Sequence, residues 1–144
     1  MGETVKRWFS VALSVAVAAL AAEAAEANVA TLKLHAPARI GQAKYFRVVA
    51  TGKFAAPANF SSPSVTVFFT LNSGCPRTFA DAVNAAHTIL IVPQTSVRGS
   101  FRVRSARIHG GAAGTGRFCG YLYGPLFQPS KRPAVRAAKK IVFF

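Results

Sequence analysis

Beyond residue 27, the cysteines, histidines and carboxylates, the types that most often carry covalent or metal chemistry, number six: Cys75, Cys119, His35, His87, His109 and Asp81. Asp81 is the sole carboxylate among them, so hydrolysis by paired carboxylates, which needs two, is ruled out for this stretch. Magnesium-assisted phosphoryl transfer fails for the same shortage of hard oxygen ligands. A serine, histidine and aspartate relay would have to be assembled around Asp81, and no Gly-x-Ser-x-Gly elbow exists to present its nucleophile. The histidines share no motif spacing of the kind that builds a three-histidine zinc site. His35 ends an alternating run, His87 ends a helical pattern and His109 precedes a glycine cluster. The expectation is a chain with no catalytic residue, no metal site and no cofactor, and not an enzyme. The alternative is a small secreted cationic hydrolase or nuclease-like toxin that cleaves RNA with histidine and lysine.

The cysteines depend on the compartment. Residues 1–27 read as a signal peptide: Lys6 and Arg7 form a basic start, an apolar run extends from Trp8 to Ala22, and Ala25-Glu26-Ala27 is an Ala-x-Ala end. Ala22-Glu23-Ala24 is a second candidate cleavage site. The run is short and rich in alanine, below the roughly 18 to 20 strongly apolar residues of a membrane span, so no transmembrane segment is expected in the mature chain. The protein is expected to be secreted or held in the cell envelope, with residues 28–144 forming one domain. In an exported chain, two cysteines beside strands read as one disulfide, Cys75 to Cys119. A reactive thiol and a metal site are the competing readings. A nucleophilic thiol needs a positioned base and an open electropositive pocket, whereas Cys75 sits beside Pro76 in a turn and Cys119 lies mid-strand.

Charge separates the partner classes. The chain carries 18 Lys and Arg against four acids, for a formal net charge of +14. Cleavage after Ala27 would remove Lys6, Arg7, Glu3, Glu23 and Glu26, so 18 less two leaves 16 cations against Asp81 alone. Such a surplus attracts anionic polymers and surfaces without identifying one, and its bland counterpart is a merely solubilising surface.

The elements that must position these residues follow from period-two alternation broken by Pro, Gly and Ser, the rhythm of an antiparallel sandwich. Thr31 to His35 alternates until Pro37. Tyr45 to Gly52 is a second strand with Phe46, Val48 and Ala50 on one face. Ser64 to Leu71 places Val65, Val67, Phe69 and Leu71 on one side and Thr66, Phe68 and Thr70 on the other. Phe79, Ala82, Val83 and Ala86 recur at three and four, which predicts a short helix capped by Thr78 with Asp81 in its first turn. Thr88 to Val92 is an apolar run stopped by Pro93. Ser100 to Ser105 alternates and continues to Ile108, a glycine-rich hinge spans 109–116, the Cys119 strand follows, and Val135 to Phe144 closes the chain.

Basic and aromatic residues interleave at Tyr45-Phe46-Arg47, Phe101-Arg102-Val103-Arg104 and Arg117-Phe118. The aromatics fall at core-facing parity, so half-buried strands explain the pattern and no specific nucleic acid is expected. Arg98, Arg102 and Arg104 share one parity, and with Arg136 or Lys140 they would form an anion-binding stripe toward an anionic envelope polymer or surface. A protein partner is the third reading, with Phe68 as its interface candidate.

The chain resembles the small secreted immunoglobulin-like sandwich domains of bacterial, especially actinobacterial, exported proteins of unassigned function. The resemblance rests on Leu34-His35-Ala36-Pro37 with the Gly41 turn, the strand Val65 to Leu71 leading to Cys75, the helix start near Thr78, and Phe118-Cys119-Gly120-Tyr121-Leu122. It implies an all-β, immunoglobulin-like antiparallel β-sandwich of about seven strands with one short helix, and it brings no catalytic residues. The tyrosine that antibody domains carry two residues before the second cysteine is Arg117 here, and Trp8 lies in the N-terminal segment.

Overall fold

The computed structural model of the chain describes residues 30–55 and 62–144. The expected signal peptide, residues 1–27, lies outside them. Seven strands of five or more residues form two antiparallel layers: β1 (Thr31–His35), β4 (Val49–Phe54), β5 (Ser64–Thr70), β6 (Thr88–Ser96), β7 (Gly99–Arg104), β9 (Gly114–Tyr123) and β10 (Val135–Phe143). Three two-residue pieces, β2 (Arg39–Ile40), β3 (Tyr45–Phe46) and β8 (Ile108–His109), complete the edges. One sheet has the order β1-β4-β7 and the other β2-β10-β9-β5-β6, while β3 and β8 pair separately. In immunoglobulin lettering these are A-B-E against A′-G-F-C-C′, with β2 as A′ parallel to β10, so the all-β, immunoglobulin-like sandwich expected of the sequence is the observed fold.

The layers close on one apolar cluster that includes Leu34, Val48, Ala50, Val65, Val67, Phe118, Leu122 and Ile141. Alternation sends these side chains inward from both sheets, which is why period two is so clean in β5 and β9. At Gly116 an added Cβ would collide with the Phe69 ring, so the bare backbone here makes room for an aromatic of the paired strand.

A second, smaller cluster lies on the outer face of the five-stranded sheet. Phe68, Cys119, Tyr121 and Tyr123 point away from the main core and are covered by Phe79 and Ala82 of the helix α1 (Phe79–Asn84), together with Phe127 of the following loop. Thr78 caps α1 by accepting the Asp81 N–H at 3.1 Å, as its sequence predicts. This cover corrects the expectation for Phe68, which is 4% exposed and packed edge-on against Phe79 and Tyr121 rather than presented to a partner.

The Cys75–Cys119 disulfide is formed, with Cα atoms 5.7 Å apart, and ties the turn after β5 onto β9. Closing a loop of 44 residues contributes about 4 kcal/mol in the chain-entropy account.

Among the boundaries that differ from the sequence expectation, three have a clear physical cause. Pro93 does not stop its strand: β6 runs on to Ser96 at the sheet edge, where pairing with β5 shifts register between Val65 and Val67, so the missing proline N–H goes unmissed. β7 ends at Arg104 because buried Ser105 turns the chain, its hydroxyl accepting the Val48 N–H at 2.9 Å and donating to the Ala106 carbonyl at 2.7 Å. The expected strand Tyr45 to Gly52 is split at the same place into β3 and β4, which pair with β8 and β7 respectively.

Candidate functional site

The outer face of the β1-β4-β7 sheet follows from register. Leu32 and Leu34 of β1, Ala50 and Gly52 of β4, and Phe101 and Val103 of β7 face inward, so their neighbours must face out. Lys33 lies opposite Thr51, which lies opposite Arg102. The adjacent rows are His35, Val49, Arg104 and Thr31, Lys53, Ser100. With strands about 4.8 Å apart, Lys33 and Arg102 flank Thr51 within a span of about 10 Å. Lys33, His35, Lys53, Arg102 and Arg104 are all exposed.

Among the described residues the face is basic without a compensating acid: the rows contain no Asp or Glu, and Asp81 sits on α1 against the other sheet. His35 is held in place through Nε2 and the Thr51 hydroxyl, 2.8 Å apart. At its border the Arg47 guanidinium donates to the Ser105 carbonyl at 3.0 Å, beside the end of β7. Like charges on neighbouring strands repel, and a polyanion laid across them removes that cost while releasing its own counterions.

The five basic residues singled out in the sequence are not brought together. Arg102 and Arg104 lie on this face, and Arg98 occupies the turn before β7, where its guanidinium donates to the Ser62 hydroxyl at 3.4 Å. Arg136 and Lys140 lie on the outer face of the opposite sheet, paired with Tyr121 and Arg117 of β9. The single stripe is therefore corrected to two basic surfaces on opposite sides of the sandwich, because outward parity means opposite directions in the two layers. Lys33 and Lys53 join this face without being singled out by the sequence. Their outward parity was legible in the alternation of β1 and β4, but their place beside Arg102 depends on strand pairing.

The histidines fall in three settings: His35 on the basic face, His87 after α1 with a φ of 56°, and His109 edge-on to the Tyr45 ring. Among the described residues no three His, Cys, Asp or Glu side chains are grouped to hold a metal ion. No helix of the described residues is long and apolar enough to cross a membrane.

No family model matches the sequence, and no curated protein matches it either. Among solved structures, the fold is similar to a CARDB domain from Pyrococcus furiosus in complex with di-metal ions, at 9% identity over 80% of this chain and 87% of that one, with a TM-score of 0.49. It is also similar to a superoxide reductase (neelaredoxin) from Ignicoccus hospitalis, at 15% identity over 79% and 80% of the two chains and a TM-score of 0.48. The E23A variant of that reductase gives 16% identity and the same TM-score. These likenesses are too distant to transfer any residue's role. They do correct one expectation, that this chain is not an enzyme: superoxide reductases are among the solved structures similar to it. What the molecule's own sheets define is an immunoglobulin-like β-sandwich, stapled by one disulfide, with a basic outer face on its three-stranded layer.

Proposed function

We propose that this chain is an exported binding module, with residues 1–27 as its export signal and 28–144 as one domain, that attaches to an anionic polymer of the cell envelope through the β1-β4-β7 face. The observation that carries the reading is the row Lys33, Thr51, Arg102, flanked by Lys53 and Arg104 with no carboxylate among the described residues of that face. Export is supported by the signal-like sequence and by a disulfide, which persists in oxidising compartments. Electrostatic attachment of this kind is sequence-independent and salt-sensitive.

Retention of the full chain on immobilised dextran sulfate tests the reading. The wild-type protein is expected to bind at low salt and elute as salt rises. Replacing Arg102 and Arg104 with Ser should lower the eluting salt concentration without lowering the melting temperature. Unchanged elution of the double variant would remove the basis of the proposal.

A further inference from the structure

A concave basic site lies on the opposite side of the sandwich. A cleft of about 420 Å³ is lined by Arg77, Arg132, Pro133, Ala134, Val135 and Arg136. Three of the six are arginines and none is acidic. Asp81, on the neighbouring helix, is not among them.

Both walls of the cleft are fixed by β9. The Arg77 wall follows directly on Cys75, whose disulfide to Cys119 fastens it to the sheet. The Tyr121 hydroxyl donates to the Pro76 carbonyl at 2.6 Å, and Arg136 Nη1 donates to the same oxygen at 3.3 Å. The Arg132 wall is held from the other side: the Tyr123 hydroxyl donates to the Lys131 carbonyl at 2.8 Å, and the Ala134 N–H donates to the Leu122 carbonyl at 2.9 Å. The Ala80 N–H also reaches the Pro129 carbonyl at 2.9 Å, joining α1 to the same loop. Little backbone order remains to be created when a ligand enters, which is the condition for binding at low entropic cost.

We infer that this cleft binds a phosphate group. A planar carboxylate presents two oxygens and is satisfied by one guanidinium fork, whereas three arginines lining one opening, Arg136 keeping donors beyond the one given to Pro76, suit a tetrahedral dianion with oxygens pointing in several directions. The guanidinium is also weakly hydrated for a cation, so bringing it against an anion costs less than it does for lysine. The volume falls within the roughly 300 to 1,000 Å³ of small-ligand sites, which leaves space for the group that bears the phosphate. The inference is independent of the polymer-binding face, which shares no residue with the cleft.

Titration of the full chain with inorganic phosphate and with phenyl phosphate, followed by the guanidinium NMR signals and by calorimetry, tests it. Saturable one-to-one binding is expected, with Arg77, Arg132 and Arg136 perturbed. Equal affinity for the two probes would assign the free ion, and tighter binding of phenyl phosphate a phosphomonoester. Arg77→Gln with Arg132→Gln should weaken binding about tenfold or more per residue, since each removes a charge-assisted hydrogen bond. Both side chains are exposed, so the fold is not at stake. Arg102→Ser should leave the titration unchanged. Non-saturable binding, or equal affinity in the Arg77/Arg132 variant, would overturn the inference whatever the outcome on dextran sulfate.

Discussion

Tyr121 and Tyr123 project from the same side of β9, and each ties a different loop to it: Tyr121 through the Pro76 carbonyl, Tyr123 through the Lys131 carbonyl. Their rings fill the small cluster beneath α1 while their hydroxyls fix what surrounds it. The Tyr123 hydroxyl also accepts the Phe79 N–H at 2.9 Å, satisfying one of the free donors at the start of α1. The strand with the second cysteine is thus the anchor for the start of α1 and for the two loops that carry Pro76 and Lys131.

Removing the Tyr123 hydroxyl should therefore cost more than one surface hydrogen bond. Tyr123→Phe leaves the Phe79 N–H and the Lys131 carbonyl without this partner, and a loss of about 1–3 kcal/mol in denaturant unfolding is expected. Tyr45→Phe, at an exposed ring, should be near neutral and serves as the comparison. Equal effects of the two substitutions would contradict the anchoring role.

Alkaline unfolding should report the same pair. Burial pushes the Tyr121 phenol up to about 12 from the ordinary 10.0, with Arg136 pulling partly the other way, and burial also raises Tyr123. Below about pH 10 folded and unfolded chains both keep the proton, so the stabilising effect is fully present. As pH rises from there through about 12, the unfolded chain ionises first and stability is lost. Tyr121→Phe should flatten that fall, as measured by urea midpoints across the alkaline range; parallel curves for wild type and variant would refute the assignment.

Salt should stabilise this protein. Lys33, Lys53, Arg102 and Arg104 crowd one face with no acid among them, and at 0.1 M salt the screening length is about 10 Å, comparable with the width of that face. The melting temperature is expected to rise between low and moderate sodium chloride. In the Arg102→Ser, Arg104→Ser variant the rise should shrink, because the repulsion it screens has been reduced. A wild-type melting temperature independent of salt would show the face is not electrostatically loaded.

The sequence by itself determined which side chains leave each strand on which side. Val65, Val67 and Phe69 face the main core and Thr66, Phe68 and Thr70 face away, as alternation dictates. Thr78 and Asp81 announced the start of α1, and the two cysteines announced the staple. These are local properties, set by the two-residue pleat, the free N–H groups of a helix start and the chemistry of thiols.

Tertiary structure alone decided what lies beyond each face. Phe68 faces away from the main core as alternation requires, yet it is buried, because α1 returns to cover that side. Arg102 and Arg136 both point outward, yet they stand on opposite sides of the molecule, because β7 and β10 belong to different sheets. Arg77 and Arg132 sit in unrelated loops until Tyr121 and Tyr123 draw those loops to one strand. The physical reason is common to all three: parity along a strand is set by adjacent residues, whereas strand partners and loop anchors are set by contacts between residues far apart in the chain.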